Sequence, residues 1–156
     1  MSFEGVEENL RFMVLEVTKQ VEDTFQTLRA PTPALVEKVE ARDDYIDNQK
    51  SVIENRAFSR IHQAGPVDKR TIDRLRAINI VGNNLERVGD YCVNVVEQLK
   101  YLKDPDFLEN YDYGAFFTEI LEALSLVENA LLRQDIQLAF RICRAEFNLD
   151  ALYKSA

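Results

Sequence analysis

Residues 79–97 read NIVGNNLERVGDYCVNVVE. The polar residues Asn79, Asn83, Glu86, Asp90 and Glu97 recur at helical spacing, so at about 100° per residue their oxygen-bearing side chains share one face. Ile78, Val81, Leu85, Val88, Cys92, Val96 and Leu99 form an apolar stripe beside it. One helix therefore offers a core face and a row of hard oxygen donors. Glu86 and Asp90 lie one turn apart at its centre, where like charges repel by a few tenths of a kcal/mol unless water or a cation lies between them.

The remaining composition fits a helical protein. Among 156 residues only five glycines and four prolines interrupt the chain, and Leu, Glu, Ala and Arg are abundant. We expect an all-α fold. The net charge of −8, with no sustained basic run, argues against a nucleic-acid binder, which needs a cationic face for phosphates. No apolar run approaches the ~20 residues that span a bilayer, and the N-terminus has neither a basic nor an apolar leader segment. The expectation is a cytoplasmic protein with no direct membrane insertion. Cys92 and Cys143 have no metal-binding or redox spacing, and both are expected to be buried apolar residues.

Taken in order, Phe3, Val6, Leu10, Met13, Val17, Val21, Phe25 and Leu28 predict a long amphipathic helix over 3–28. Pro31-Thr32-Pro33 stops it and restarts the chain, with Thr32 as N-cap and Pro33 at the first helical position. The second helix, 33–62, turns Leu35, Val39, Ile46, Ile53, Ala57 and Ile61 inward and carries Asp43 and Asp47 one turn apart. Gly65-Pro66 closes it, a third helix follows over 67–103, and Asp104-Pro105-Asp106 ends that one. Residues equidistant from a tight turn lie side by side on antiparallel helices. Folding about 65 or 66 sets Asp43 opposite 87–89 and Asp47 opposite 83–85, level with Asn83, Glu86 and Asp90. Glu16 falls at the same height on the first helix. Four carboxylates packed between helices without a cation would suffer repulsion and desolvation or take up protons. Oxygen-only ligands favour Mg²⁺, Mn²⁺, Ca²⁺ or Fe³⁺, with Zn²⁺ also admitted through carboxylates.

Beyond Pro105 the pattern restarts. An offset of 103 residues carries Asp43 and Asp47 onto Glu146 and Asp150, Val17 onto Ile120, Val21 onto Leu124, Thr32 onto Asp135, and Leu35 onto Leu138. This is an internal repeat. Residues 1–104 read as a complete three-helix unit and 105–156 as the first two helices of a second, so the parent protein is expected to continue. Phe117, Leu124, Phe140 and Leu149 of the incomplete unit are then expected to present apolar surface and to drive self-association into a homo-oligomer.

The run Leu85-Glu86-Arg87-Val88-Gly89-Asp90 with Val93-Asn94-Val95, the preceding Pro66-Val67 and Arg74-Leu75-Arg76, and the two-copy arrangement resemble the PhoU family of phosphate-uptake regulators. That resemblance implies tandem three-helix bundles with multinuclear metal clusters. It makes Asp43, Asp47, Glu86 and Asp90 the metal-site candidates of the first bundle, and Glu146 and Asp150 half of a second. It also implies a cytoplasmic regulator that links phosphate transport to signalling by contacts with a phosphate transporter or a sensor kinase. Two other readings stand beside it: a soluble regulatory domain of a membrane transporter, and a di-metal carboxylate enzyme. The enzyme reading wants a Glu-x-x-His on inward helices, and His62, the one histidine, sits at the end of the second helix instead.

The remaining residues carry plainer expectations. His62 is placed to interact with a helix C-terminus. Gly82 and Gly89 allow close helix approach. Asn79, Asn83 and Asn94 are candidates to hold the carboxylates in place, and Arg87 reads as surface. Tyr101, Phe107, Tyr111, Tyr113, Phe116 and Phe117 are expected to pack where the two repeats meet.

Overall fold

The computed structural model describes residues 4–62, 66–104 and 106–155. It contains α1 (Glu4–Arg29), α2 (Pro33–Ile61), α3 (Lys69–Gln98), a 3₁₀ turn (Leu99–Tyr101), α4 (Asp106–Glu109), α5 (Gly114–Leu132) and α6 (Ile136–Ser155). No strand occurs among the described residues, and the all-α expectation holds. The predicted inward Phe3, the Gly65 closure and the Pro105 stop lie outside the described residues.

Each boundary has a local cause. Thr32 Oγ1 accepts from the Leu35 amide at 3.2 Å with Pro33 in the first turn, as the sequence predicts. α3 begins at Lys69 rather than 67 because Asp68 is its cap: one carboxylate oxygen accepts from the Thr71 amide at 3.0 Å and the other from the Thr71 hydroxyl at 2.7 Å. α5 ends with Gln134 in the left-handed region (φ 56°) while the Asp135 amide reaches back to Ala130 O at 3.0 Å, satisfying a terminal carbonyl. Asp135 then caps α6, accepting from the Leu138 amide at 3.1 Å. Under the offset of 103, the end of α1 at Arg29 falls on the end of α5 at Leu132, and the start of α2 at Pro33 on the start of α6 at Ile136.

α1, α2 and α3 pack against one another around Leu10, Met13, Val17, Val39, Ile46, Ile53, Leu75 and Ile78, all at most 1% exposed. Burying such side chains contributes about 1.5–3 kcal/mol each. The seam of α1 follows a strict heptad, Leu10, Met13, Val17, Gln20, Thr24 and Thr27, so its second half is polar yet buried. Thr24 and Thr27 return their hydroxyl protons to Gln20 O and Asp23 O, one turn back. Asp23 accepts from Lys38 at 2.7 Å and from Arg42 at 3.0 Å, and Arg42 also meets Glu16. Burial alone would raise the Glu16 carboxyl, but the hydrogen bonds from Lys19 and Arg42 outweigh it and hold it below its usual value.

α5 lies on α1, and α6 lies against α5. Three expectations are corrected here. Leu124 is buried as part of the core cluster and Phe117 stacks on Phe25 of α1 at 4.7 Å between ring centroids, because α5 packs on the bundle; Phe140 is the member of the set that stays well exposed. Cys92 is buried but Cys143 is exposed, because it sits on the uncovered side of α6. Tyr101 is 75% exposed and does not join the inter-repeat packing, whereas Tyr111 contacts both Tyr113 and Phe116. The Phe107 side chain lies outside what is described.

Candidate metal centre

α2 and α3 cross about one turn further along α3 than the hairpin argument predicts: folding about 65 or 66 would set Ile46 opposite 84–86, and it lies beside Gly89, because the buried side chains interlock there. Ile53 Cδ1 lies beside Gly82, Ile46 Cδ1 beside Gly89, and Asp43 Oδ1 level with Gly89. Both glycines are buried on the inward face, and their missing side chains let α2 approach. The two packing rows, Ile46 with Gly89 and Ile53 with Gly82, are seven residues apart on each helix and hold the acidic residues between them at one height.

There Asp47 of α2 and Glu86 and Asp90 of α3 each present a carboxylate oxygen, all within 4.8 Å of one another. Lys50, one turn after Asp47, donates to Glu86 at 2.8 Å, and this bond raises the Lys50 ammonium above its usual value. Burial pushes the Asp90 carboxyl up, and the charges of Glu86 and Asp47 push it further, against the opposing fields of Lys50 and Arg87. Charge is thus in excess at this point, and one lysine does not neutralise it.

Asp43 lies deeper. Burial raises its carboxyl, a hydrogen bond from Gln20 opposes this, and the charges of Asp47, Asp90 and Asp44 add to the rise. Gln20 Nε2 donates to Asp43 Oδ1 at 3.3 Å and to Val39 O at 3.2 Å, while Gln20 Oε1 is buried with no hydrogen-bond partner among the described residues. Cys92 lies near the same level, where burial drives its thiol up to about 11.

The structure thus brings Asp47, Glu86 and Asp90 together, with Asp43 beside them on the bundle side. Glu146 and Asp150 lie apart, on α6, at the edge of an apolar groove between α3, α5 and α6 lined by Leu85, Val88, Leu124 and Leu149. Asn79, Asn83 and Asn94 make no hydrogen bond to these carboxylates among the described residues; the partners there are Lys50 and Gln20. Asn79 Oδ1 is buried without a partner, and Asn83 and Asn94 are exposed. Glu97 stands beside Lys100, away from the cluster. His62 caps α2, its ring nitrogen 2.9 Å from Phe58 O and its ring stacked on Phe58, and Arg87 reaches Tyr91 on the surface.

Sequence reading missed Gln20 and Lys50. Gln20 was legible as the polar member of the heptad Leu10-Met13-Val17-Gln20. Lys50 was legible as the basic residue one turn beyond Asp47.

Chemically, the arrangement is an acidic, all-oxygen site between two helices of an antiparallel bundle, which defines a helical-bundle protein with carboxylates on facing helices. The sequence model of the PhoU domain matches residues 10–99, more than half of the chain, and the protein belongs to the PhoU family. A relative is the phosphate-specific transport system accessory protein PhoU homolog 1 of Thermotoga maritima, 26% identical over 144 residues. The match takes in 91% of this chain and 62% of the relative, so the chain spans about three-fifths of that protein's length. No solved structure is matched at a comparable level of significance.

Proposed function

We propose that this chain is a metal-binding regulatory protein of phosphate transport and phosphate signalling, acting through contacts with other proteins. The observation that carries the metal reading is the meeting of Asp47, Glu86 and Asp90 within 4.8 Å from two helices whose register is fixed by buried packing. Three carboxylates so close oppose folding unless a positive charge joins them. The donor set fits a hard cation, Mg²⁺, Mn²⁺, Ca²⁺ or Fe³⁺, or Zn²⁺ through carboxylates. The buried, unpartnered oxygen of Gln20 beside Asp43 adds a second sign of fit. When bound, the ion supplies the positive charge that fastens α2 to α3. Asp47, Glu86 and Asp90 would hold it, with Asp43 on the bundle side; Lys50 would yield the Glu86 oxygen it now occupies.

Residues 1–104 form the first repeat in this reading and 105–156 the opening of a second, in which Glu146 and Asp150 are half of an equivalent site. The family and the name of the Thermotoga relative support the phosphate-transport role. No described helix is long and apolar enough to cross a membrane. The groove between α3, α5 and α6, and the exposed Phe140 and Phe147, support self-association. The carboxylates act structurally here, so no chemical turnover is assigned to them. The test is the Glu86→Ala, Asp90→Ala double variant: it should remain helical yet fail to retain a phosphate transporter or sensor kinase that the parent protein retains. Metal-dependent hydrolysis of phosphate esters that disappears in that variant would replace the regulatory reading with an enzymatic one.

A further inference from the structure

We propose that Gln20 supplies its side-chain oxygen to the cation held by Asp43 and its neighbours, so that a bound ion joins α1 as well as α2 and α3; this rests on the metal reading above. Gln20 is fully buried, at 0% exposure, in the heptad seam of α1. A buried amide needs partners for both its donors and its oxygen, and an orphaned oxygen costs about 1–3 kcal/mol. Its two neighbours on one side, Val39 O and Asp43 Oδ1, are both acceptors, so the amino group must face them. That fixes the orientation of the amide and leaves the oxygen without a donor among the described residues.

The oxygen lies over Gly89. A methyl group on Gly89 would stand 2.8 Å from Gln20 Oε1 and 3.0 Å from Asp43 Oδ1, so the two oxygens converge on the space that the missing side chain leaves. Both oxygens lie against the Gly89 backbone; the Asp43 oxygen accepts from the Gln20 amino group, the Gln20 oxygen meets no donor among the described residues, and a cation is a partner that both accept. Gly89 belongs to the same Glu86–Asp90 turn, and a side chain there would press on both oxygens. Helix packing at Gly82 is looser, with nothing nearer than 3.9 Å, so close approach alone does not account for Gly89.

The test is calorimetric titration of the full chain with Mn²⁺, using wild type, Gln20→Leu, Gln20→Glu, Gly89→Ala and Asp90→Asn, with helicity followed by circular dichroism. Gln20→Leu fills the same space without an oxygen and should weaken Mn²⁺ binding at least tenfold. Gln20→Glu restores an oxygen and should bind at least as tightly as wild type, which no purely packing role predicts. Gly89→Ala should keep its helix, since Ala is the better helix former, and yet weaken binding at least tenfold. If Gln20→Leu does not fold, the Gln20→Glu and Gly89→Ala results decide. Binding weakened by Gln20→Glu, or unchanged by Gln20→Leu while Asp90→Asn weakens it, would overturn the role of Gln20 and leave the carboxylate site standing. A wild-type protein that takes up no Mn²⁺ would overturn both.

Discussion

Replacing Asp90 by Asn should stabilise the metal-free protein and destabilise the metal-loaded one, relative to wild type. Asp90 faces the carboxylates of Asp47 and Glu86 with ligand oxygens no more than 4.8 Å apart. At that separation a like-charge pair costs about 0.9 kcal/mol in water and several times more at the lower dielectric of a protein surface. Asp47 is exposed, so the watery value applies, and physiological salt removes roughly half of it. Two such pairs come to about 0.9 kcal/mol, and the attraction to Lys50 leaves roughly 0.5 kcal/mol, which is about 1–2 °C in melting temperature for a domain of this size. The asparagine protein in chelator should melt that much higher. A cation at a hundredfold excess over Kd should raise the wild type by about 2.7 kcal/mol, hence by roughly 5–11 °C, and the variant by much less. The two melting curves should therefore exchange order on adding Mn²⁺. The pH dependence has a definite sign: Asp90 and Asp43 have folded-state values raised above 3.8. Their penalty is absent below that pH, where both states are protonated, and grows as pH rises through the raised values. Chelated wild type should lose stability across that window, and Asp90→Asn should lose less. An Asp90→Asn protein that melts lower in chelator, or that gains as much from Mn²⁺ as wild type, would refute the reasoning.

The two thiols should separate by reactivity. Cys143 should react with a disulfide reagent in the native protein, whereas Cys92, buried with its thiol raised to about 11, should react only on unfolding; equal native rates would contradict the packing of α3. From about pH 9 upward, ionisation of Cys92 in the unfolded chain should erode stability, an effect that Cys92→Ala would remove in a denaturation series at pH 8 and pH 10. Sedimentation at rising concentration should show self-association that Leu149→Glu, at the groove between α3, α5 and α6, reduces; a single monomeric boundary throughout would count against that surface as a contact.

The sequence by itself determined the helices, their turns and, to within about one turn, the height at which the acidic residues meet. Apolar spacing marks each core face, Thr32 and Pro33 mark the second start, and equal rise along antiparallel helices then dictates that Asp43 and Asp47 lie level with Glu86 and Asp90. Local chemistry and one geometric constant suffice for that. Rotation about each helix axis is different, because it depends on which side chains interlock across the bundle. Only the tertiary structure decided that Asp47 joins Glu86 and Asp90 while Asp43 turns inward to Gln20, and that Lys50 reaches Glu86. The same limit explains α5 and Cys143. Periodicity shows that a helix has an apolar face, but what covers the face is set by long-range packing: Phe117 of α5 meets Phe25 of α1 and Leu124 joins the core, while Cys143 on α6 stays open. Gln20 is the clearest case. Its heptad position marks it as buried, but its role depends on two acceptors and a glycine contributed by other helices, 19, 23 and 69 residues further along the chain.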